Sequence, residues 1–228
     1  MCGRYSFSTD AEKLKKQFGG IEVGETLEIN FNVAPTQQAY VITDDTPGAL
    51  QSFRWGLVPF WAKDLKIGAK MINARDETVL GKPAFRNAAK KRHCLVLADS
   101  FYEWKKIDGQ KIPYRISLKN KDLLVFAGLW ERWKSIDRTI NSFTIITCEP
   151  NAEMAFVHNR MPVILPENAL QQKWLYQYTP DEISALLKTP RNDLLEMYPV
   201  SSRVNSVRNN GPELHEPRQE PGQTYLNF

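Results

Sequence analysis

The sequence predicts one α+β domain, built on a curved, mostly antiparallel β-sheet with barrel-like closure and flanking helices. Three observations predict it. Short apolar runs alternate with turn chemistry along most of the chain. Helix signatures are few and short. A length of 228 residues, 42% hydrophobic and 11% aromatic, suits a single large core. The domain is expected to span 1–228, with a mobile tail from about residue 215, where Pro, Gly, Glu and Gln accumulate.

In order, Thr9-Asp10-Ala11-Glu12 reads as a capping box, with Leu14 and Phe18 four apart and Gly19-Gly20 as a stop, so one short helix follows an N-terminal strand-like stretch. Strands are predicted at Tyr40 to Ile42, Phe53 to Leu57, Cys94 to Leu97 and Tyr102 to Lys105. Thr46-Pro47-Gly48 and Asp108-Gly109 supply turns. Pro113 to Leu118, Leu123 to Trp130, Ser142 to Thr147 and Val163 to Leu165 add further strands, the first two joined by the polar turn Lys119 to Asp122. Helices are predicted at Pro83 to Lys91, Pro166 to Tyr176 and Pro180 to Leu187, the last headed by the capping box Thr179 to Glu182.

Charge gives nucleic acid only weak support, because 30 basic residues face 26 acidic ones. Cys2, Cys94 and Cys148 are an odd number at wide spacing, without a C-x-x-C pattern, and only three histidines accompany them, which argues against a disulfide framework and a metal site. No cofactor is expected. Nor does any window approach the roughly eighteen apolar residues of a membrane span, and MCGRYSFSTD has no apolar leader region, so a reducing cytoplasm is the expected compartment.

Four residues stand out for chemistry. Cys2 precedes the small Gly3, a context in which the initiator Met is expected to be removed. An N-terminal cysteine carries an amine and a thiol on adjacent carbons, both partly nucleophilic near neutrality. That pair can attack an amide carbonyl, or capture an aldehyde as an imine that sulfur closes into a thiazolidine; the bland alternative is a small buried cysteine. Asn73 ends the apolar run Met71-Ile72, as when a strand delivers a side chain to a cleft; a turn-forming Asn is the alternative. Glu103 interrupts the aromatic run Phe101-Tyr102-Glu103-Trp104, and a carboxylate buried there is placed to shuttle protons. An outward-alternating Glu103 sharing its face with Lys105 is the competing reading. His158 lies two residues before Arg160 and leads into an apolar strand, a setting for an acid or for a structural histidine.

Taken together, Met1-Cys2-Gly3-Arg4-Tyr5, Asn32-Val33-Ala34-Pro35, Trp55 to Trp61, Asn73 to Glu77, Phe101 to Trp104 and His158 to Pro162 resemble the SRAP family of SOS-response-associated peptidases, or abasic-site processing proteins. The likeness continues to Val204 to Pro212. It implies the SRAP fold, and it implies that Cys2, freed by self-removal of Met1, forms a thiazolidine with the ring-opened sugar of an abasic site. This covalent DNA-protein crosslink shields the strand from cleavage. The resemblance further implies that Asn73 orients the sugar or the amine, and that Glu103 and His158 move protons. It makes Arg4, Arg75 and Arg160 binders of backbone phosphate, and Pro35, Trp55, Phe60 and Trp61 an apolar wall on which bases stack. The implied partner is single-stranded or junction DNA carrying abasic sites, bound by a monomer that becomes nucleoid-associated. Two other classes compete: an N-terminal-nucleophile cysteine peptidase or amidase, and a non-enzymatic single-strand DNA binder.

Overall fold

The computed structural model describes residues 2–176 and 179–218. Along the chain run β1 (Tyr5–Phe7), α1 (Ala11–Gln17), β2 (Asn30–Val33), β3 (Gln38–Thr43), β4 (Thr46–Trp55), β5 (Asn73–Arg75), α2 (Arg86–Ala89), β6 (His93–Ala98), β7 (Ser100–Ile107) and β8 (Gln110–Leu118). β9 (Leu124–Lys134), β10 (Thr139–Cys148), α3 (Ala152–Ala155), β11 (Met161–Pro162), α4 (Asn168–Tyr176), α5 (Pro180–Leu186) and β12 (Leu195–Pro199) follow. The α+β class and the mostly antiparallel sheet hold.

Five strands close on themselves in the order β4-β3-β6-β9-β10, because β10 pairs with β9 on one side and with β4 on the other. The β10–β4 and β10–β5 contacts are parallel, and the other ladders are antiparallel. Closure buries both faces of the central strands, so β6 reads His93-Cys94-Leu95-Val96-Leu97-Ala98 with every side chain buried. Gly128 permits this density: a Cβ there would lie 2.8 Å from Cys94 Sγ and 3.1 Å from the Thr144 carbonyl oxygen. A second sheet, in the order β12-β8-β7-β1-β2, lies beside the barrel. Its outer face holds a smaller cluster of Tyr102, Val200, Val204 and Leu214, with Phe31, Trp104 and Tyr198 packed on it.

Local chemistry shifts several predicted boundaries. The cap of α1 is Asp10, whose side chain accepts from Lys13 N, while Thr9 is buried one residue earlier. Thr46, Pro47 and Gly48 belong to β4, and the reversal falls at Asp44-Asp45. The predicted Pro83 to Lys91 helix contracts to the single turn of α2. Val163 to Leu165 is extended and bonded on both sides, through Val163 N to Ile146 O and Leu165 N to Val125 O, but continues no ladder beyond β11. The Asp108-Gly109 turn joins β7 to β8 with both residues at positive φ, 47° and 80°, as a two-residue hairpin requires. The capping box at α5 is formed as predicted. Residues 215–218 are held: Tyr198 Oη donates to the His215 carbonyl and Arg218 N to the Pro199 carbonyl. The rest of the predicted tail lies outside the described residues.

Candidate active site

Cys2 lies just before β1, fully buried. Asn73 reaches it from β5, whose position depends on a close backbone crossing after β4. At Gly56, φ is +115°, and an added Cβ would sit 2.5 Å from the Gly68 carbonyl oxygen. Leu57 N then bonds Met71 O at 3.1 Å, and Trp55 Nε1 bonds Ile72 O at 3.0 Å. Asn73 follows, in parallel register with Ile145 of β10. Its Nδ2 donates to the Cys2 carbonyl at 2.7 Å, while its Oδ1 is buried without a hydrogen-bond partner among the described residues.

Glu103 arrives from β7, opposite Tyr114 of β8, and is 3% exposed, so the buried reading holds and the outward one fails. Burial pushes the Cys2 thiol well above its ordinary range, and the negative charge of Glu103 pushes it further. Both effects favour the protonated thiol. His158 follows α3 and is half-buried, its backbone N bonded to Met154 O. Its Nδ1 lies 3.0 Å from Arg160 N, from which it accepts in one tautomer, and 3.2 Å from the Arg160 carbonyl oxygen, to which it donates in the other. A groove of about 570 Å³ is lined by Glu103, Trp104, Lys111, His158 and Asn205. Another, of about 450 Å³, has Asn73 in its wall with Trp61, Met71, Phe85, Lys70 and Lys82.

Two predicted contacts with nucleic acid need correction. Trp55 is fully buried, with Tyr5 at a ring distance of 5.0 Å, and is a core residue rather than a stacking surface. Arg160 turns inward, its guanidinium binding Asp76, Glu77 and the Thr147 carbonyl, so phosphate does not find it free. Its bond holds the Glu77 carboxyl down at about 2. Arg4 is held through one nitrogen: its Nη1 donates at 2.7 Å each to Asn32 Oδ1 and the Val204 carbonyl, and its Nη2 takes no part in either bond. By contrast Phe60 and Trp61 are 54% and 49% exposed, Arg75 is exposed and Pro35 is half-buried, all open to a ligand.

Sequence reasoning assigned no role to Asn32, whose Nδ2 binds the carbonyls of Ser206 and Asn209, nor to Asn210, whose Oδ1 accepts from Phe31 N. With Arg4 these bonds fasten 204–210 over β2 and place Asn205 in the groove of Glu103. Among the described residues no group of three or more His, Cys, Asp or Glu is placed to hold a metal ion, and no helix is long and apolar enough to cross a membrane.

Residues 1–207 match the family described as SOS response associated peptidase (SRAP). The chain belongs to the SRAP family. This SRAP chain is 44% identical over 224 residues to the abasic site processing protein YoqW of Bacillus subtilis, covering 95% of this chain and 99% of that one. It is 31% identical over 258 residues to the abasic site processing protein HMCES of Gallus gallus, covering 93% and 76% respectively. A crystal structure of a protein from Bacteroides thetaiotaomicron superposes with a TM-score of 0.85 at 27% identity, over 96% of this SRAP chain and all of its own.

Proposed function

We propose that this SRAP chain processes abasic sites in DNA, and that it does so by crosslinking Cys2 to the sugar aldehyde. Support comes from the convergence on Cys2. Asn73 holds its carbonyl at 2.7 Å, and the Glu103 carboxylate acts electrostatically on its thiol. Relatives named for abasic-site processing align over nearly the whole chain.

The chemistry begins with loss of Met1, which lies outside the described residues, by hydrolysis of its peptide bond to Cys2. The free amine attacks the aldehyde, and water leaves as the imine forms. Sulfur then adds to the imine carbon while the thiol proton passes to nitrogen, so a C–S bond forms, the C=N bond becomes single and nothing is oxidised. A thiol held neutral needs a base at that step. Glu103 is that base, and it also relays the proton of the amine. The unpartnered Asn73 Oδ1 accepts from the amine and fixes its lone pair. His158 protonates the sugar ring oxygen during ring opening. Closing the ring removes the imine that would otherwise promote β-elimination, so the strand is protected.

The partner is DNA containing an abasic site, in single-stranded form, and the protein acts as a monomeric single domain on it. Incubation with an abasic single-stranded oligonucleotide, resolved on a denaturing gel, tests the reading. Wild type is expected to shift the oligonucleotide covalently, with Cys2→Ala giving no stable product. Equal crosslinking by Cys2→Ala would reject it.

A further inference from the structure

The hairpin of β7 and β8 ends in two like charges. Lys106 and Lys111 stand directly opposite each other in the ladder, both exposed. Among the described residues neither forms an ion pair, and the nearby turn carboxylate of Asp108 pairs with neither. Like charges facing across a ladder destabilise it unless an anion lies between them. Alternation along β7 puts Trp104, two residues before Lys106, on the same face. The Trp104 indole is fixed by Nε1–H donation to Asn205 Oδ1 at 2.7 Å, and Lys111 itself lines the groove of Glu103 and His158. An indole followed by paired cations is the composition of a single-strand nucleic-acid track.

Of the other basic groups Arg75 is exposed, while Arg4 and Arg160 are drawn toward the protein. Nη1 of Arg4 and both terminal nitrogens of Arg160 bind protein oxygens. On the far side of Lys111 the wall contains Glu213, Glu216 and Arg218, and Glu213 pairs with Arg203.

We propose that Lys106 and Lys111 form a phosphate-binding pair that grips the DNA backbone beside the Glu103–His158 groove, on one side of the nucleotide that reaches Cys2. The inference rests on the reading of this chain as a DNA-acting protein. It makes the hairpin strained when empty and relieved when occupied.

The test measures binding of an undamaged, labelled single-stranded oligonucleotide against potassium chloride concentration, with thermal melting of each free protein alongside. Each lysine–phosphate contact adds about 0.7 to the salt slope of single-strand binding, so Lys106→Ala with Lys111→Ala should lower its magnitude by about 1.4. Lys106→Glu should weaken DNA binding while raising the melting temperature of the free protein, because it turns a repulsive cross-strand pair into an attractive one. A merely structural lysine does not move the two readouts in opposite directions. A wild-type salt slope in the double variant would overturn the phosphate pair and leave the abasic-site reading standing. Failure of the wild type to bind any oligonucleotide would remove both.

Discussion

Asn73 Nδ2 donates to the main-chain carbonyl of Cys2 at 2.7 Å, so the residue that begins β5 fixes the backbone of the nucleophile rather than its sulfur. An orienting role of this kind acts on geometry, where a misplacement of about 1 Å costs about 10²-fold in rate. Asn73→Ala should slow crosslinking by about that factor and lower stability by only about 1 kcal/mol. Glu103→Gln and His158→Ala each remove a proton transfer and should slow crosslink formation or reversal by about 10²- to 10⁴-fold, with binding of undamaged DNA retained. Single-turnover gels and anisotropy titrations check both. Wild-type rates in all three variants would return these residues to structural roles.

Arg160 ties the segment after Asn73 to the one carrying His158, through Asp76, Glu77 and Thr147. Arg160→Ala leaves the Thr147 carbonyl without this donor and should cost about 1–3 kcal/mol of stability. Crosslinking should slow through a displaced His158, while the salt slope of DNA binding stays at the wild-type value. A slope lowered by about 0.7 would instead show Arg160 on a phosphate.

The two tryptophans assigned to one stacking wall should separate cleanly. Trp55→Ala opens a cavity at a fully buried site and should cost about 3–5 kcal/mol in denaturant unfolding. Trp61 is 49% exposed, so Trp61→Ala should leave stability nearly unchanged and weaken single-strand binding by about 1–3 kcal/mol, the worth of a stacked base.

Alkaline pH should unfold the protein by a route set by its thiols. Burial pushes Cys148 up to about 12 from the ordinary 9.0, and it pushes Cys2 and Cys94 up as well. Each native thiol keeps its proton where the unfolded chain has lost it. Stability is therefore intact below about pH 9 and falls above it, by up to about 1.4 kcal/mol per pH unit for each group. Chemical unfolding from pH 8 to 10.5 measures this, and Cys94→Ala should flatten the fall.

Much of this molecule was legible in its sequence because strands of a closed barrel bury both faces and read as continuous apolar runs. Cys94 to Leu97 is an example. Asp108-Gly109 and Thr179 to Glu182 were readable because their local geometry is fixed by side chains within a few residues. β2 and β12 were missed: Asn30 to Val33 and Leu195 to Pro199 carry no strong alternation and are held by partners far away in sequence. Cys2, Asn73, Glu103 and His158 were visible as unusual residues in apolar or N-terminal settings. Whether an arginine meets phosphate or a carboxylate depends on residues like Asp76 and Glu77 folding back onto Arg160, which no local pattern encodes. The opposition of Lys106 and Lys111 follows from the two-residue Asp108-Gly109 turn, which fixes the register of the hairpin, but the pair carries no motif that marks it as a site.

The central claim concerns one bond set on one residue, and mass spectrometry of the digested crosslink tests it most directly. The N-terminal peptide should begin at Cys2, with Met1 gone, and should carry the abasic sugar at the sum of the two masses less one water. A crosslink that retains Met1, or that maps to any residue other than Cys2, would contradict the account.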